Sequence, residues 1–167
     1  LSNHQTEADP QILSLLLDQE FKHFVPNMIH VAGERVITDP FAIPFSLGRN
    51  LLCIYSKKYL DHPPEKSLEK KEHNRRAMSD LANLLKEGGH CFWVAPSGGR
   101  DRKGQSNEFE LSPFDPKSIE MFRLLAKKGK TPTHFYPLSL LTYPTLPPPE
   151  LVQTELGEER DPHRHPA

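Results

Sequence analysis

SLEKKEHNRRAMSDLANLLKEGGHCFWVA, residues 67–95, is the stretch on which the fold class turns. From Ser67 to Glu87 the apolar side chains Leu68, Met78, Leu81, Leu84 and Leu85 recur among many charges, a spacing that predicts one amphipathic helix. Gly88 and Gly89 stop it, because glycine takes helix-ending backbone angles without a Cβ clash. HCFWVA follows at once and, short and apolar, reads as a strand buried in a sheet. A helix running directly into a buried strand is the alternation of an α/β layer.

The same alternation continues on both sides. Upstream, Asp9 followed by Pro10 predicts a helix start, with an acceptor at the N-cap and proline where its missing N–H is of no consequence. Ile12, Leu13, Leu15, Leu16 and Leu17 then predict a broad buried face, and a short strand is expected near Met28 to Ala32. DPFAIPFSLGRN (39–50), with two prolines and a glycine, reads as irregular surface structure, and LLCIYS (51–56) as a strand covered on both faces. DHPPEK (61–66) is a turn. Downstream, Asp115 and Pro116 repeat the cap signal, and Ile119, Phe122, Leu125 and Ala126 mark a helix ending at Gly129. HFYPLSLLT (134–142) is a further strand in which Pro137 points to an edge or a bulge, and VQTEL (152–156) is read as another. The fold class is therefore α/β: a central, largely parallel or mixed sheet flanked by helices. In such sheets the loops leaving the C-terminal strand ends gather into one crevice.

At 167 residues the chain suits a single ordinary core, and 36% apolar with 26% charged residues marks most of it as globular. A net charge of -1 excludes a globally basic nucleic-acid binder but leaves room for a local cationic site. No apolar run reaches the roughly 18 to 20 residues needed to span a bilayer. Cys53 and Cys91 lie in apolar runs, where reduced, buried thiols are expected, and this points to a reducing compartment.

Three loops carry chemistry. In APSGGRDRKG (95–104) the glycines admit close approach of a ligand, and Arg100 and Arg102, two apart, present both guanidinium forks to one side of an extended segment. Paired arginines suit phosphate; the plainer alternative is a solvated turn with a local pair to Asp101. The Walker pattern is absent. Lys57 and Lys58 add charge at a second strand end, although two lysines there are ordinarily solvent-facing. In the opening segment His4 can serve as a general base near neutral pH, with Asp9 holding its tautomer, unless Asp9 only caps the helix. A carboxylate has enough lone pairs to do both. His23, His62 and His73 have no metal-ligand spacing with Cys or Asp, and His90 beside Cys91 would point to the opposite face of a strand.

Taken in order, NHQTEADP (3–10), DPFAIPFSLGRN (39–50), CIYSKK (53–58) and WVAPSGGRDR (93–102) resemble the glycerolipid acyltransferases that carry a His-x-x-x-x-Asp signature. Pro96, Ser97, Gly98 and Gly99 stand where most of that superfamily has a Pro-Glu-Gly-Thr type motif, and this resembles the soluble plastid glycerol-3-phosphate acyltransferase family. Tyr59 departs from it, since a histidine tends to follow the lysine pair there. The resemblance implies an acyltransferase catalytic domain over 1–158, incomplete at both ends relative to the family; the polar composition of 159–167 is read as a disordered tail. It implies His4 and Asp9 as the catalytic pair and Lys58, Arg100 and Arg102 as ligands of the glycerol 3-phosphate phosphate. It also implies acyl carrier protein or coenzyme A as acyl donor, no metal or other cofactor, a plastid stromal location with the targeting segment outside this chain, and no more than peripheral membrane contact. Two other readings fit the same residues: a 1-acylglycerol-3-phosphate acyltransferase, and a noncatalytic phosphoanion-binding module in which His4 is incidental.

Overall fold

A computed structural model of the chain describes residues 1–103 and 109–146, without the side chains of Lys58, Lys103 and Phe109. In chain order the elements are α1 (Asp9–Asp18), β1 (Met28–Gly33), α2 (Ile43–Ser46), β2 (Asn50–Ile54), α3 (Ser67–Glu87), β3 (Cys91–Val94), β4 (Arg102–Lys103), β5 (Phe109–Glu110) and α4 (Pro116–Ala126). β1 is the centre of a parallel sheet ordered β2-β1-β3, with 29–33 opposite 50–54 on one side and 28–31 opposite 91–94 on the other. Parallel neighbours require crossover connections, supplied by the segment containing α2 and by α3. β4 and β5 form a separate antiparallel pair.

Successive side chains of a strand point to opposite faces, so the sheet sorts its residues into two cores. Ile29, Val31, Leu52, Phe92 and Val94 pack against Ala77, Leu81 and Leu85 of α3 and Phe122 of α4. Met28 and Trp93 pack on the other side with Leu13 of α1 and with Leu140. Helices thus cover both faces, as expected of an α/β layer. The bounds of α3 agree with its apolar spacing, and Gly88 ends it at φ +76°, where a Cβ would also meet the Thr131 side chain at 2.6 Å. Asp115 caps α4 as expected, accepting from Lys117 N (3.1 Å) and Ser118 Oγ (2.8 Å).

Four expectations need correction. The α1 face is narrower than predicted: Leu13 is buried while Leu15 and Leu16 are exposed. Five apolar side chains at about 100° per residue spread over roughly 200° of the helix, more than one sheet face covers. Leu68 is 81% exposed because α3, about 30 Å long, overruns strands of about 15 Å, and only its second half lies on the sheet. β2 is an edge of the three-stranded sheet rather than a strand covered on both faces, with Leu52 alone buried. Its exit is instead pinned by α3: Asn74 accepts from Tyr55 N (2.7 Å) and donates to Tyr55 O (2.9 Å). Finally, 134–142 is no ladder strand; it makes one isolated bridge, Leu138 with Ser2, and then spends its hydrogen bonds on side chains of the opening segment. VQTEL and the tail over 159–167 lie outside the described residues. Both cysteines are free and half-buried, and burial pushes both thiols up.

Candidate active site

Three segments far apart in the sequence are laced together beyond the C-terminal end of β3. Ser2 N donates to Val94 O (2.9 Å), laying the opening residues beside that strand. Asn3 Oδ1 accepts from Leu140 N (2.7 Å), while its Nδ2 donates to Leu140 O and to Asp101 Oδ2 (both 2.9 Å). Gln5 Oε1 accepts from Thr142 N (2.7 Å). Asp101 N donates to His4 O (2.7 Å), and Asp101 Oδ1 accepts from Ser112 N (2.9 Å). Asn3, Gln5, Asp101 and Thr142 are all buried, which polar groups tolerate when each is paired.

At the centre, His4 Nδ1 lies 2.7 Å from Asp9 Oδ2. Asp9 Oδ2 also accepts from Gln5 N (2.7 Å); Oδ1 accepts from Thr6 N (3.2 Å), Thr6 Oγ1 (3.0 Å) and Thr142 Oγ1. Burial pushes the Asp9 carboxyl up, but the hydrogen bond and charge of His4, with the bonds from Thr142 and Gln5, outweigh it and hold Asp9 below the ordinary carboxylate value. An ionised carboxylate can only accept, so the hydrogen is assigned to His4 Nδ1, leaving the Nε2 lone pair to take a proton. His4 keeps 26% side-chain exposure while Asp9 keeps none, the arrangement of an accessible base on a buried orienting carboxylate.

The helix-cap role foreseen for Asp9 is not what the structure shows. The N-cap is Ala8, whose carbonyl accepts from Gln11 and Ile12, and Asp9 is the first helical residue with its carboxylate turned back toward residues 4–6. Donors from the opening segment and Thr142 occupy both oxygens, so none is left for the helix's own N–H groups. Pro10 still occupies the first turn.

The two arginines lie in different local structure. Arg100 pairs through Nη1 with Glu7 Oε1, and both side chains are largely buried. Arg102 begins β4 opposite Glu110. The alternative of a solvated turn with a local pair to Asp101 fails, because Asp101 is fully buried and held by Asn3, Gln5 and Ser112. Lys58 lies in the short 3-10 turn 57–59 after β2, and its side chain is outside the description. Tyr59, the departure from the family pattern, has the Arg35 guanidinium 5.9 Å over its ring.

Sequence reasoning missed Glu7, Thr142 and Trp93. Glu7 sits inside the His-to-Asp motif, where an acidic residue facing a cationic loop was a usable signal; Thr142 left none, since its contact spans the whole chain. Trp93 meets the His4 ring edge-to-face, 5.7 Å between centroids and 86° between planes. Behind it, in register on β1, His30 is 2% exposed with its ring 5.8 Å from Trp93. Burial, and then the charge of Arg49, push His30 down to about 4, so it is neutral near pH 7. His30 Nδ1 and Trp93 Nε1 are buried without a hydrogen-bond partner among the described residues, each a burden of about 1–3 kcal/mol.

An open groove of about 690 Å³, lined by Asn27, Arg49, Asn50 and His90 among others, lies at the opposite end of the sheet, where the strands begin. That groove is thus apart from His4 and Arg100, which do not line it. Among the described residues, no helix is long and apolar enough to cross a membrane.

A protein-family model described as Acyltransferase matches residues 1–141. The chain is 47% identical over 161 residues to "Glycerol-3-phosphate acyltransferase, chloroplastic" of Arabidopsis thaliana, covering 96% of this chain and 35% of that protein. The proteins of the same name from Pisum sativum (47%) and Spinacia oleracea (46%) align over 96% of this chain and 35% and 34% of their own lengths. The chain thus spans about a third of the length of the curated relatives it matches.

Proposed function

The chain belongs to the acyltransferase family, and from that premise we propose that it transfers an acyl group from acyl-ACP or acyl-CoA to the sn-1 hydroxyl of glycerol 3-phosphate, giving 1-acylglycerol 3-phosphate. The observation that carries this reading is the His4 Nδ1 contact of 2.7 Å with buried Asp9, beside the Arg100 loop. His4 Nε2 takes the hydroxyl proton as that oxygen attacks the thioester carbonyl, and Asp9 stabilises the imidazolium. The tetrahedral intermediate collapses with loss of the C–S bond, and the carrier thiolate leaves with the proton returned from His4. The thioester is already activated, so direct attack needs neither an acyl-enzyme nor a metal or redox cofactor.

Arg100 and Arg102 hold the phosphate, with Lys58 as a third cation, because planar guanidinium groups donate bidentate bonds to phosphate oxygens. Glu7 then acts as the stand-in anion that keeps Arg100 in place until phosphate arrives. The catalytic unit is assigned to 1–158. The relatives' name places them in the chloroplast, which supports a plastid stromal setting with acyl carrier protein as donor partner, no nucleic-acid partner, and at most peripheral contact with a membrane surface.

Offering glycerol 3-phosphate and 1-acylglycerol 3-phosphate in turn, each with acyl-ACP and acyl-CoA, tests the reading. Product is expected from glycerol 3-phosphate, and His4→Ala should lower kcat by about 10² to 10⁴ with the fold retained. Acylation of 1-acylglycerol 3-phosphate alone would transfer the assignment to the related activity. Phosphate binding without turnover on either acceptor would favour a binding module.

A further inference from the structure

We propose that Trp93 is a positioning residue for His4, clamping its imidazole so that Nε2 faces the acceptor hydroxyl; the inference rests on His4 being the base. The Asp9 contact fixes His4 at one point, Nδ1, and leaves the ring free to swing about that hydrogen bond. The edge-to-face contact with Trp93 at 5.7 Å supplies the second constraint. Trp93 itself cannot yield. It is 6% exposed, its backbone lies in the β1–β3 ladder, and its ring is wedged among Leu13, Met28 and Leu140 with His30 behind it.

A plain apolar side chain would fill this core without leaving Trp93 Nε1 and His30 Nδ1 unpartnered among the described residues. The presence of two polar rings here therefore points to their shape and their π charge rather than to packing alone. A tryptophan ring also favours a neighbouring cation, and His4 becomes one when it takes the proton. The groups around His4 during that change are Asp9 at Nδ1, Asp101 through its N–H to His4 O, the Glu7–Arg100 pair, and His30 with Arg49 beyond Trp93. Neutral His30 adds no repulsion to the imidazolium.

Trp93 is the sole tryptophan and lies against both His4 and His30, so the part of its emission change that His4→Gln removes reads His4. Emission should fall as His4 is protonated, and the step should vanish in His4→Gln. Trp93→Leu should lower kcat about 10- to 100-fold while KM for glycerol 3-phosphate stays within about twofold, and Trp93→Phe should restore most of the loss. NMR relaxation of the His4 ring should show one fixed orientation in the parent and in Trp93→Phe, and added ring motion in Trp93→Leu. An emission titration identical in the parent and His4→Gln would overturn the proposal, as would a His4 ring equally fixed in Trp93→Leu. If Trp93→Leu does not fold, the emission titration and Trp93→Phe still decide. If no acceptor is acylated by the parent chain, the proposed function fails while emission and ring motion continue to report on Trp93.

Discussion

Asp9 accepts five hydrogen bonds, from His4, Gln5, Thr6 (twice) and Thr142, and none of them comes from the helix it begins. Local propensity identified the residue and misassigned its donors, because four of the five lie within five positions but the fifth comes from the far end of the described chain. Arg100 shows the same dependence: its suitability for phosphate follows from guanidinium chemistry, whereas its pairing with Glu7 appears only in three dimensions. If Arg100 supplies ground-state binding, Arg100→Ala should raise KM for glycerol 3-phosphate about 10- to 100-fold, from the ~1.5–3 kcal/mol of a charge-assisted hydrogen bond. Steady-state kinetics with varied acceptor reads this, and an unchanged KM would remove Arg100 from the phosphate site. Arg100→Lys should recover little, since an ammonium cannot reproduce the fork.

Among the elements, α3 and α4 were the most legible, since spacing, glycine stop and aspartate cap all pointed to the same bounds. Periodicity could not show where along α3 the sheet lies. Ala77, Leu81 and Leu85 are buried on one stripe while Leu68, on the same helix, meets solvent. Leu81→Ala should therefore destabilise by about 2–5 kcal/mol, and Leu68→Ala by no more than about 0.5 kcal/mol. Urea unfolding of the two variants measures the contrast; equal midpoints would mean that α3 does not seat its second half on β1–β3. The strand expected over 134–142 failed for a related reason. Its β propensity was real, but Asn3 and Gln5 side chains claim the N–H groups of Leu140 and Thr142.

Across the whole molecule, buried polar groups join the opening residues to 138–143, so stability and site geometry share the same bonds. The pH dependence of unfolding should expose this. His30 is held at about 4 in the folded chain against an ordinary 6.5. Between those values the unfolded chain binds more protons, so stability falls as pH drops from about 6.5 to about 4, by up to ~3 kcal/mol, and this contribution levels off below. Asp9 acts in a lower window: its depressed carboxyl contributes stability that is present above 3.8 and lost as pH falls through the still lower folded value. Thermal or urea unfolding from pH 7 to 4 should show the slope in the parent chain and a flatter one in His30→Gln. Matching slopes would mean that His30 is not buried neutral.

Order and spacing of residues by themselves determined that helices alternate with strands, that α3 runs from Ser67 to Glu87, that Asp9 stands at a helix start just after His4, and that Arg100 lies in the loop after a strand. These are local or periodic properties, set by side-chain polarity within a turn or two of the chain. Only the tertiary structure decided that Thr142 completes the shell of Asp9, that Glu7 engages Arg100, and that Trp93 stands between His4 and His30. Contacts across some 60 to 137 positions depend on how the sheet brings strand ends together, and no local pattern of apolar and polar residues encodes that juxtaposition.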